Sequence, residues 1–527
     1  MTSVLEVTNG MWTWFFWPDA VYSSDYDKMF YGWVDSTGVV KAGSTDGDGN
    51  RVVTSLRTLT ADDHDCPSVI VLAADGPSPG KILAVVSEHN GASWSYRSTT
   101  AGSLAAFDPA VVIDANANQV SYSSLMQMEN TAKTVYHFYR HTVADVHRPH
   151  YFRTTTNGGT TWSAGTSMID TGNKRPYVQI RKTSGSRIDV IFTNGHPNET
   201  TNSVWHFYIT VAADGTRAYY RSDGTLIGDD TALPIDTTDA TLVYDGSATN
   251  AWVWDLATVE GTLTAAITSF ASLATVHTYK IAKFSAGTWS VETVTDGGSY
   301  VPNYLYSGEI HYSGGISLEP YNADAVFVSK AYGAGDFRVE KWAKTGASWA
   351  KESDISGNTS SVNARPRRVE DSNPTAMMYW RGTYTNYTVY NTNIYSELGA
   401  VPTNTVPPAV TGDVELGETL TASTGTWDNN PTSYAYQWQY SADGATNWLD
   451  ISGSGSTFVI GAYYFRVGVV ATNTAGDSAE AYSPAVGPLI CITSGTVGLA
   501  VGLDLAHGVS VGWDFSRDLV FGDDRKG

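Results

Sequence analysis

His64 and His89 bracket the stretch "DDHDCPSVIVLAADGPSPGKILAVVSEHN" (Asp62–Asn90) in a chain that carries only 11 histidines and a net charge of −21. Imidazole titrates near neutrality, so a pair of them is a natural proton donor and acceptor. Two β-rich runs, "SVIVL" and "KILAVVS", flank the turn-forming "AADGPSPG", which predicts an antiparallel hairpin. Residues equidistant from the turn end side by side in such a hairpin, so His64 and His89 should meet at its open end. Asp62, Asp63, Asp65 and Glu88 accompany them.

Other groups able to do chemistry follow downstream. "TVYHFYR" and "YFRTTT" carry Tyr139 and Arg153. "KRPYVQIR" and "FTNGHP" carry Arg175, Tyr177 and His196, and Tyr208 comes soon after. "NARPRR" and "MMYWRG" carry Arg365, Arg367 and Arg381. Hydrolysis by two carboxylates would need paired Asp/Glu across a bond, and a sialidase would need three convergent arginines with a tyrosine nucleophile. The abundance of His, Tyr and Arg suits β-elimination from a uronate better. Arginine neutralises the carboxylate and acidifies the neighbouring C–H, a base removes that proton, and an acid protonates the leaving glycosidic oxygen. Tyrosine, with an ordinary pKa of ~10, needs nearby positive charge to act here, and Arg153 is a candidate to supply it.

These groups must be held by β-structure. Aromatics at 12%, 50 glycines and only 16% charged residues describe an all-β chain with many tight turns. Strand–turn–strand units start near Ala20, Pro67, Val120, Pro176, Trp252, Gly314 and Pro366, with spacings of about 47 to about 76 residues, within reach of four-stranded propeller blades with insertions. Seven blades fit before Ala400, and the chain start "SVLEVTNGMWTW" is expected to supply the last outer strand, which removes exposed sheet edges. "TTNGGTTW" (Thr155–Trp162) matches the Asp-box turn between the two outer strands of such blades. With strands lettered A to D from the axis outward, the start of A, the end of B and the start of C then share one face. His64, His89, Tyr139, Arg153, Arg175, Tyr177, His196, Arg365, Arg367 and Arg381 gather there, and eight of the 11 histidines lie between His64 and His206. A cluster of cations in an acidic chain reads as a binding mouth. Each residue also has a plainer reading. His64 fits a blade-edge histidine bonded to Asp62 or Asp65, Arg153 an exposed strand position, and Tyr139 and Tyr151 packing between blades. His137, His141, His147 and His150 read as loop or strand surface residues, and Trp252 and Trp254 as blade core.

The expected architecture is a seven-bladed propeller over residues 1–400, a Pro-rich linker over 401–412, a small Ig-like β-sandwich with Trp438 in its core over 413–487, and a Gly-rich C-terminal segment over 488–527. The acidic balance excludes a general nucleic-acid binder, and no apolar run is long enough for a transmembrane helix. Cys66 and Cys491 lie far apart without CxxC neighbours, so neither a disulfide framework nor a zinc cluster is expected. The start lacks the basic and continuous apolar regions of a signal peptide. The expected location is therefore extracellular, after removal of a signal, or on a virus particle.

The motifs "DDHDCPSVIVL…GKILAVVSEHN", "VYHFYRH…PHYFRTTTNGGTTWS", "RPYVQI", "FTNGHP", "AWVWDLA", "YSGGISLEP" and "MMYWRGTYTNY" resemble, in collinear order over residues 10–395, the seven-bladed BNR-type propellers of the ulvan lyase families. The resemblance implies cleavage of a uronic-acid-containing polysaccharide by β-elimination without a catalytic cofactor, and a structural calcium or zinc ion in some members. It implies His64 and Tyr139 as base and acid in either order, Arg153 as the neutraliser of the uronate, and His89 lining the site. Arg175, Tyr177, His196, Tyr208 and Arg381 are candidate sugar contacts. The chain departs from the pattern in its longer turn and in Glu88 before His89. The Ig-like segment is similar to those of phage tail and bacterial surface proteins, which implies a phage depolymerase whose C-terminal region meets other virion or cell-surface proteins. The competing readings are a non-catalytic glycan-binding adhesion propeller and a sialidase-type glycoside hydrolase.

Overall fold

The computed structural model describes residues 4–489 except 18–19, 48, 116–118, 145–146, 198–200, 272–275, 302–309, 334, 373–375, 398–400, 413–419, 430, 432, 452–456, 459–462 and 474–475, and beyond 489 only 497–498, 500–504 and 508–512. The chain forms two compact units, Met1–Leu398 and Gly399–Gly527. The sequence expectations for Cys491 and for most of residues 488–527 fall outside the described residues.

The first unit is a β-propeller. Among the described residues seven antiparallel blades succeed one another, four-stranded except the fourth, which has six strands, with inner strands at Ala20–Ser23, Ser68–Val71, Val120–Gln127, Val178–Ser184, Asn250–Val259, Ile316–Leu318 and Val362–Arg368. Inner strands are covered on both faces, so they read as near-continuous apolar runs. "AWVWDL" in blade 5 is fully buried, with Trp252 and Trp254 at 0% and 1% exposure, in keeping with the blade-core reading. Outer strands face water on one side, and Arg51–Thr58 is mostly exposed. Val4–Val7 pairs antiparallel with Val389–Glu397, so the chain's start completes blade 7 and closes the ring. That pairing ties the two ends of the propeller chain together, while each blade keeps its outermost strand as an edge.

The Asp-box sits where expected, between His150–Thr155 and Thr166–Ile169 of blade 3. Asn157 Oδ1 accepts from the amides of Thr160 and Thr161, and Gly158 and Gly159 take left-handed φ of 66° and 86° that a side chain would resist.

The stretch after the closing strand does not continue the outer sheet, as the sequence reading of "SVLEVTNGMWTW" expected. Met11 to Trp17 are all buried. Met11 bridges Val34 of blade 1 and Trp17 bridges Ser124 of blade 3. Trp14 packs on Trp254 of blade 5 at 4.9 Å, and Phe15 packs on Tyr177 of blade 4 at 4.5 Å and on Trp252 at 5.2 Å. Arg365 and Arg367 of blade 7 donate to the carbonyls of Trp12 and Trp14. Contacts with blades 1, 3, 4, 5 and 7 place this segment in the central channel as an aromatic plug. Arg365 and Arg367, expected at the mouth, are instead 1% and 3% exposed and hold the plug.

In the second unit, Ser433–Ser441 and Tyr463–Asn473 pair antiparallel, with Trp438, Phe465, Val467, Val469 and Leu420 as the core.

Candidate functional site

The hairpin register matches the sequence arithmetic: Ser68 faces Val85 and Val69 faces Ala84, so the partners of the extended ladder sum as His64 and His89 do. Just before the inner strand, "DHD" makes one 3-10 turn over Asp63–Asp65, capped by Asp62, whose Oδ1 accepts from the His64 amide at 3.0 Å. That turn lifts His64 beside His89. The two rings stack with centroids 3.7 Å apart and planes 4° from parallel.

One carboxylate holds both. Asp62 Oδ1 lies 2.6 Å from His64 Nδ1 and Asp62 Oδ2 lies 2.9 Å from His89 Nδ1. His64 Nε2 meets the Tyr122 hydroxyl at 2.9 Å. Burial opposes charge on His64, but Asp62 and then Asp63 overcome it and raise the imidazole to about 10. Burial, together with the adjoining His64 cation, pushes His89 down to about 4 against the pull of Asp62. Burial alone would raise Asp62, yet the two imidazoles hold it well below the usual carboxylate range. Near neutral pH the pair is therefore one imidazolium and one neutral imidazole. Asp65 accepts from the His89 amide at 3.0 Å, and burial beside Asp62 raises its carboxyl to about 8.

The pair forms one wall of a cavity of about 340 Å³ on the face shared by the starts of A, the ends of B and the starts of C. Trp14 of the plug is part of its lining, so the cavity is a closed-bottomed bowl. Arg140, which also lines the cavity, is 1% exposed, with its guanidinium 4.5 Å from the Tyr122 ring. It donates to the Tyr177 hydroxyl at 3.4 Å and to Asn90 Oδ1 at 3.3 Å, and no described carboxylate lies within ion-pair distance of it. Tyr122 stands between Arg140 and His64; burial raises its phenol well above the ordinary value, with Arg140 pulling the other way. It sits at φ 60° where the blade-3 ladder shifts register between Ser121 and Ser124. Backbone in this region costs a bulky residue on the order of 1–3 kcal/mol and clusters at functional sites. Asp63, buried in the floor, is held by Tyr384 at 2.7 Å and Arg365 at 3.1 Å. Arg148 and Tyr387 are also in the lining.

Of the residues singled out in the sequence, His64, His89, Arg175, Tyr177 and His196 line this cavity. His196 is buried, 3.3 Å from the Tyr312 hydroxyl, and burial followed by Arg175 drives it well below its ordinary pKa. Tyr139, Arg153, Tyr208 and Arg381 do not line it. Tyr139 and Arg140 are consecutive on Val135–His141, and strand alternation sends their side chains to opposite faces. Arg140 goes to the bowl. Tyr139, 1% exposed, is buried on the other face, where Arg153 Nε donates to its hydroxyl at 2.9 Å and Arg153 Nη2 pairs with Asp114 at 2.5 Å. Tyr208 stacks on Tyr220 at 5.0 Å under Arg187. Arg381 donates to Asn363 Oδ1 at 2.6 Å and to the Ser356 carbonyl at 2.8 Å. His137 and His150, read as surface residues, are 0% and 5% exposed. The sequence reading passed over Tyr122 and Arg140, although "FYRH" placed Arg140 next to the residue it chose.

A structural metal ion is among the family's implications, and Asp62, His64 and His89 offer three donor atoms within 4.8 Å of one another. The rings do not fit one ion. A metal lies in the plane of each imidazole that ligates it, about 2 Å from the nitrogen, and two parallel rings stacked at 3.7 Å cannot both meet that condition.

Fold and bowl together define a seven-bladed propeller with a cationic, tyrosine-lined mouth. The chain belongs to the BNR repeat-containing family, which matches residues 28–297. Among curated proteins none matches the chain in sequence. Among solved structures it is similar to an ulvan lyase described as a new family of polysaccharide lyase, with a TM-score of 0.54 and 11% identity over 74% of this chain and 95% of that one. The same figures hold for that enzyme bound to -[GlcA(1-4)Rha3S]-. An oligogalacturonate lyase matches more distantly, with a TM-score of 0.41 and 10% identity over 75% of this chain and 96% of that one. At these identities the likeness is one of fold.

Proposed function

We propose that the protein is a polysaccharide lyase that cleaves a uronic-acid-containing polysaccharide by β-elimination. The observation that carries this reading is Arg140: a guanidinium 1% exposed, in the wall of an open cavity, with no carboxylate partner among the described residues. A buried cation without a counter-ion is costly, and a uronate carboxylate would supply one. The solved ulvan lyase complex, which carries glucuronate, agrees with that ligand class.

Neutralisation by Arg140 makes the proton on C5 of the uronate more acidic. His89 is the base: its Nδ1 is engaged by Asp62, which leaves Nε2 as the acceptor of a neutral ring. Tyr122 is the acid, with His64 Nε2 behind it to replace the proton it gives up. The C5 proton moves to His89, the C4–O4 bond breaks as C4=C5 forms, and O4 takes the proton of Tyr122. Two imidazoles pushed to opposite protonation states beside one another are the pattern expected of an acid and a base. Tyr122 and Arg140 thus take the parts that the family resemblance gave to Tyr139 and Arg153. Arg175, Tyr177 and His196 contact the sugar on the far wall.

We read residues 413–487 as an Ig-like spacer or adhesion module, and the whole chain as a depolymerase working outside the cell or on a virus particle, on host exopolysaccharide. The test is incubation with a panel of uronic-acid polysaccharides, watching for the ultraviolet absorbance of the unsaturated uronate end. Absorbance that grows with chain shortening is expected. No absorbance and no shortening on any member would overturn the lyase reading, and reducing ends without absorbance would mark a hydrolase.

A further inference from the structure

A second depression, of about 270 Å³, opens on the same face between blades 5, 6 and 7. Its wall is built from the end of strand D of blade 5 (Ser299), the B–C turn of blade 6 (Gly333), and the first strands of blade 7 (Ser361, Thr383). Tyr384 is common to both cavities. Its hydroxyl donates to Asp63 in the first at 2.7 Å, and it lines the second together with Phe337.

The two cavities differ in charge. The first is lined by Arg140, Arg148, Arg175 and the His64 cation, with Asp63 as a carboxylate; among the described residues, none lining the second carries a charge. The second offers hydroxyls, peptide groups and the three aromatic rings of Tyr300, Phe337 and Tyr384. An anionic group placed there would lose its hydration without a cation to meet it, which is strongly unfavourable. A neutral sugar would keep its hydroxyls bonded to serine and threonine and lay its C–H face on a ring. Gly333 keeps the space open: a Cβ there would meet nothing within 4 Å.

We infer that this depression is the subsite for the sugar next to the uronate, and that this sugar is uncharged and unsulfated. The inference rests on the reading of the first cavity as a uronate site. The substrate class is then a polymer in which a uronate is followed by a neutral residue, rather than a polyuronate or a sulfated chain.

The test uses the full chain and three oligosaccharide probes: ulvan fragments, the same fragments chemically desulfated, and oligoglucuronate. Their dissociation constants are measured alongside formation of unsaturated product. The desulfated fragments should bind about tenfold or more tighter than the sulfated ones, a difference of about 1.4 kcal/mol. Gly333→Trp should remove that advantage and leave binding of free glucuronate within twofold. Ser361→Arg, which adds a cation to the depression, should shift preference toward the sulfated fragments. Equal or tighter binding of sulfated fragments or oligoglucuronate by the unmodified protein, binding order unmoved by both variants, or no binding of any probe overturns the inference. Product formed fastest from sulfated ulvan would sink this inference and leave the lyase reading standing. The expected binding order without product would do the reverse.

Discussion

His64 and His89 lie ring on ring, 3.7 Å apart and 4° from parallel, with the two oxygens of Asp62 dividing their Nδ1 atoms between them. Two like cations at that distance would repel strongly, so the carboxylate can hold only one of them charged. The deeper connections of His64, to Asp62 and Asp63 on one side and Tyr122 on the other, decide which. The pair is a preset acid–base couple.

The pH dependence of kcat/KM follows from that asymmetry. His89 must be neutral to act as base and is protonated only near pH 4; His64 must be charged to support Tyr122 and loses its proton near pH 10. The profile should be a broad plateau with an acid limb near the first value and an alkaline limb near the second. An acid limb at the ordinary histidine value of ~6.5 would mean His89 is not the base.

Asp62 sets the alkaline limb. In Asp62→Asn the carboxylate that raises His64 most is gone, and only Asp63 remains to oppose burial, which pushes the imidazole down. The alkaline limb should move by more than 2 pH units toward acid, and kcat at neutral pH should fall by about 10²-fold or more, the usual worth of a positioned acid. Titration of the His64 ring by NMR in the unmodified protein and the variant checks the shift directly.

Arg140 and Arg153 separate the bowl from the outer layer. Arg140→Gln should lower kcat/KM about 10²- to 10³-fold, the usual effect of removing a group that stabilises developing charge. Arg153→Gln breaks the ion pair with the buried Asp114 and the hydrogen bond to Tyr139, and should cost about 1–3 kcal/mol of stability while turnover stays near normal. Denaturant midpoints and initial rates for both variants read the two effects independently. A rate loss in Arg153→Gln larger than that in Arg140→Gln would restore the assignment implied by the family resemblance.

Much of this was legible in the residues. The seven starts of the inner strands, the Asp-box turn and the meeting of His64 with His89 all follow from turn chemistry and antiparallel register, which are local rules. The choice between Tyr139 and Arg140 was not, because it depends on what each side of the blade packs against: Arg140 meets Tyr177 of blade 4, Tyr139 meets Arg153 and, through it, Asp114 of blade 2. "VYHFYRH" carries apolar or aromatic groups on both parities, so alternation gives no sign of it. The left-handed turn at Tyr122 is equally silent, since "VSYSSLMQ" has no glycine or asparagine to mark a bulge. The plug is the reverse case. "MWTWFFW" has no polar alternation at all, which an outer strand needs and a segment enclosed on every side does not.

Acid should destabilise the propeller well above the range in which carboxylates titrate. Burial is the main cause holding His137 and His150 down to about 3, and His89, His277 and His311 down to about 4. Each of the five has a folded pKa below its unfolded value of ~6.5, so between pH 6.5 and 4 the unfolded chain binds more protons than the folded one, and stability falls as pH falls. Asp65 works the other way: its carboxyl, raised to about 8, favours the folded state progressively as pH drops from that value, and Glu370 and Asp371, raised by burial, act with it. His141, His196 and His206, also held down by burial, add to the opposing imidazoles, which outnumber these carboxyls. The net slope should be positive, and the midpoint of thermal unfolding should drop steeply from pH 6.5 to pH 4. His137, fully buried with its Nε2 on Ser123 and away from the bowl, isolates the effect. His137→Gln keeps a hydrogen-bonding group but cannot be protonated, so its thermal midpoint should depend less on pH over this window. A midpoint that is flat from pH 6.5 to 4, or that falls equally in the variant, would show that these imidazoles are not held neutral by the fold.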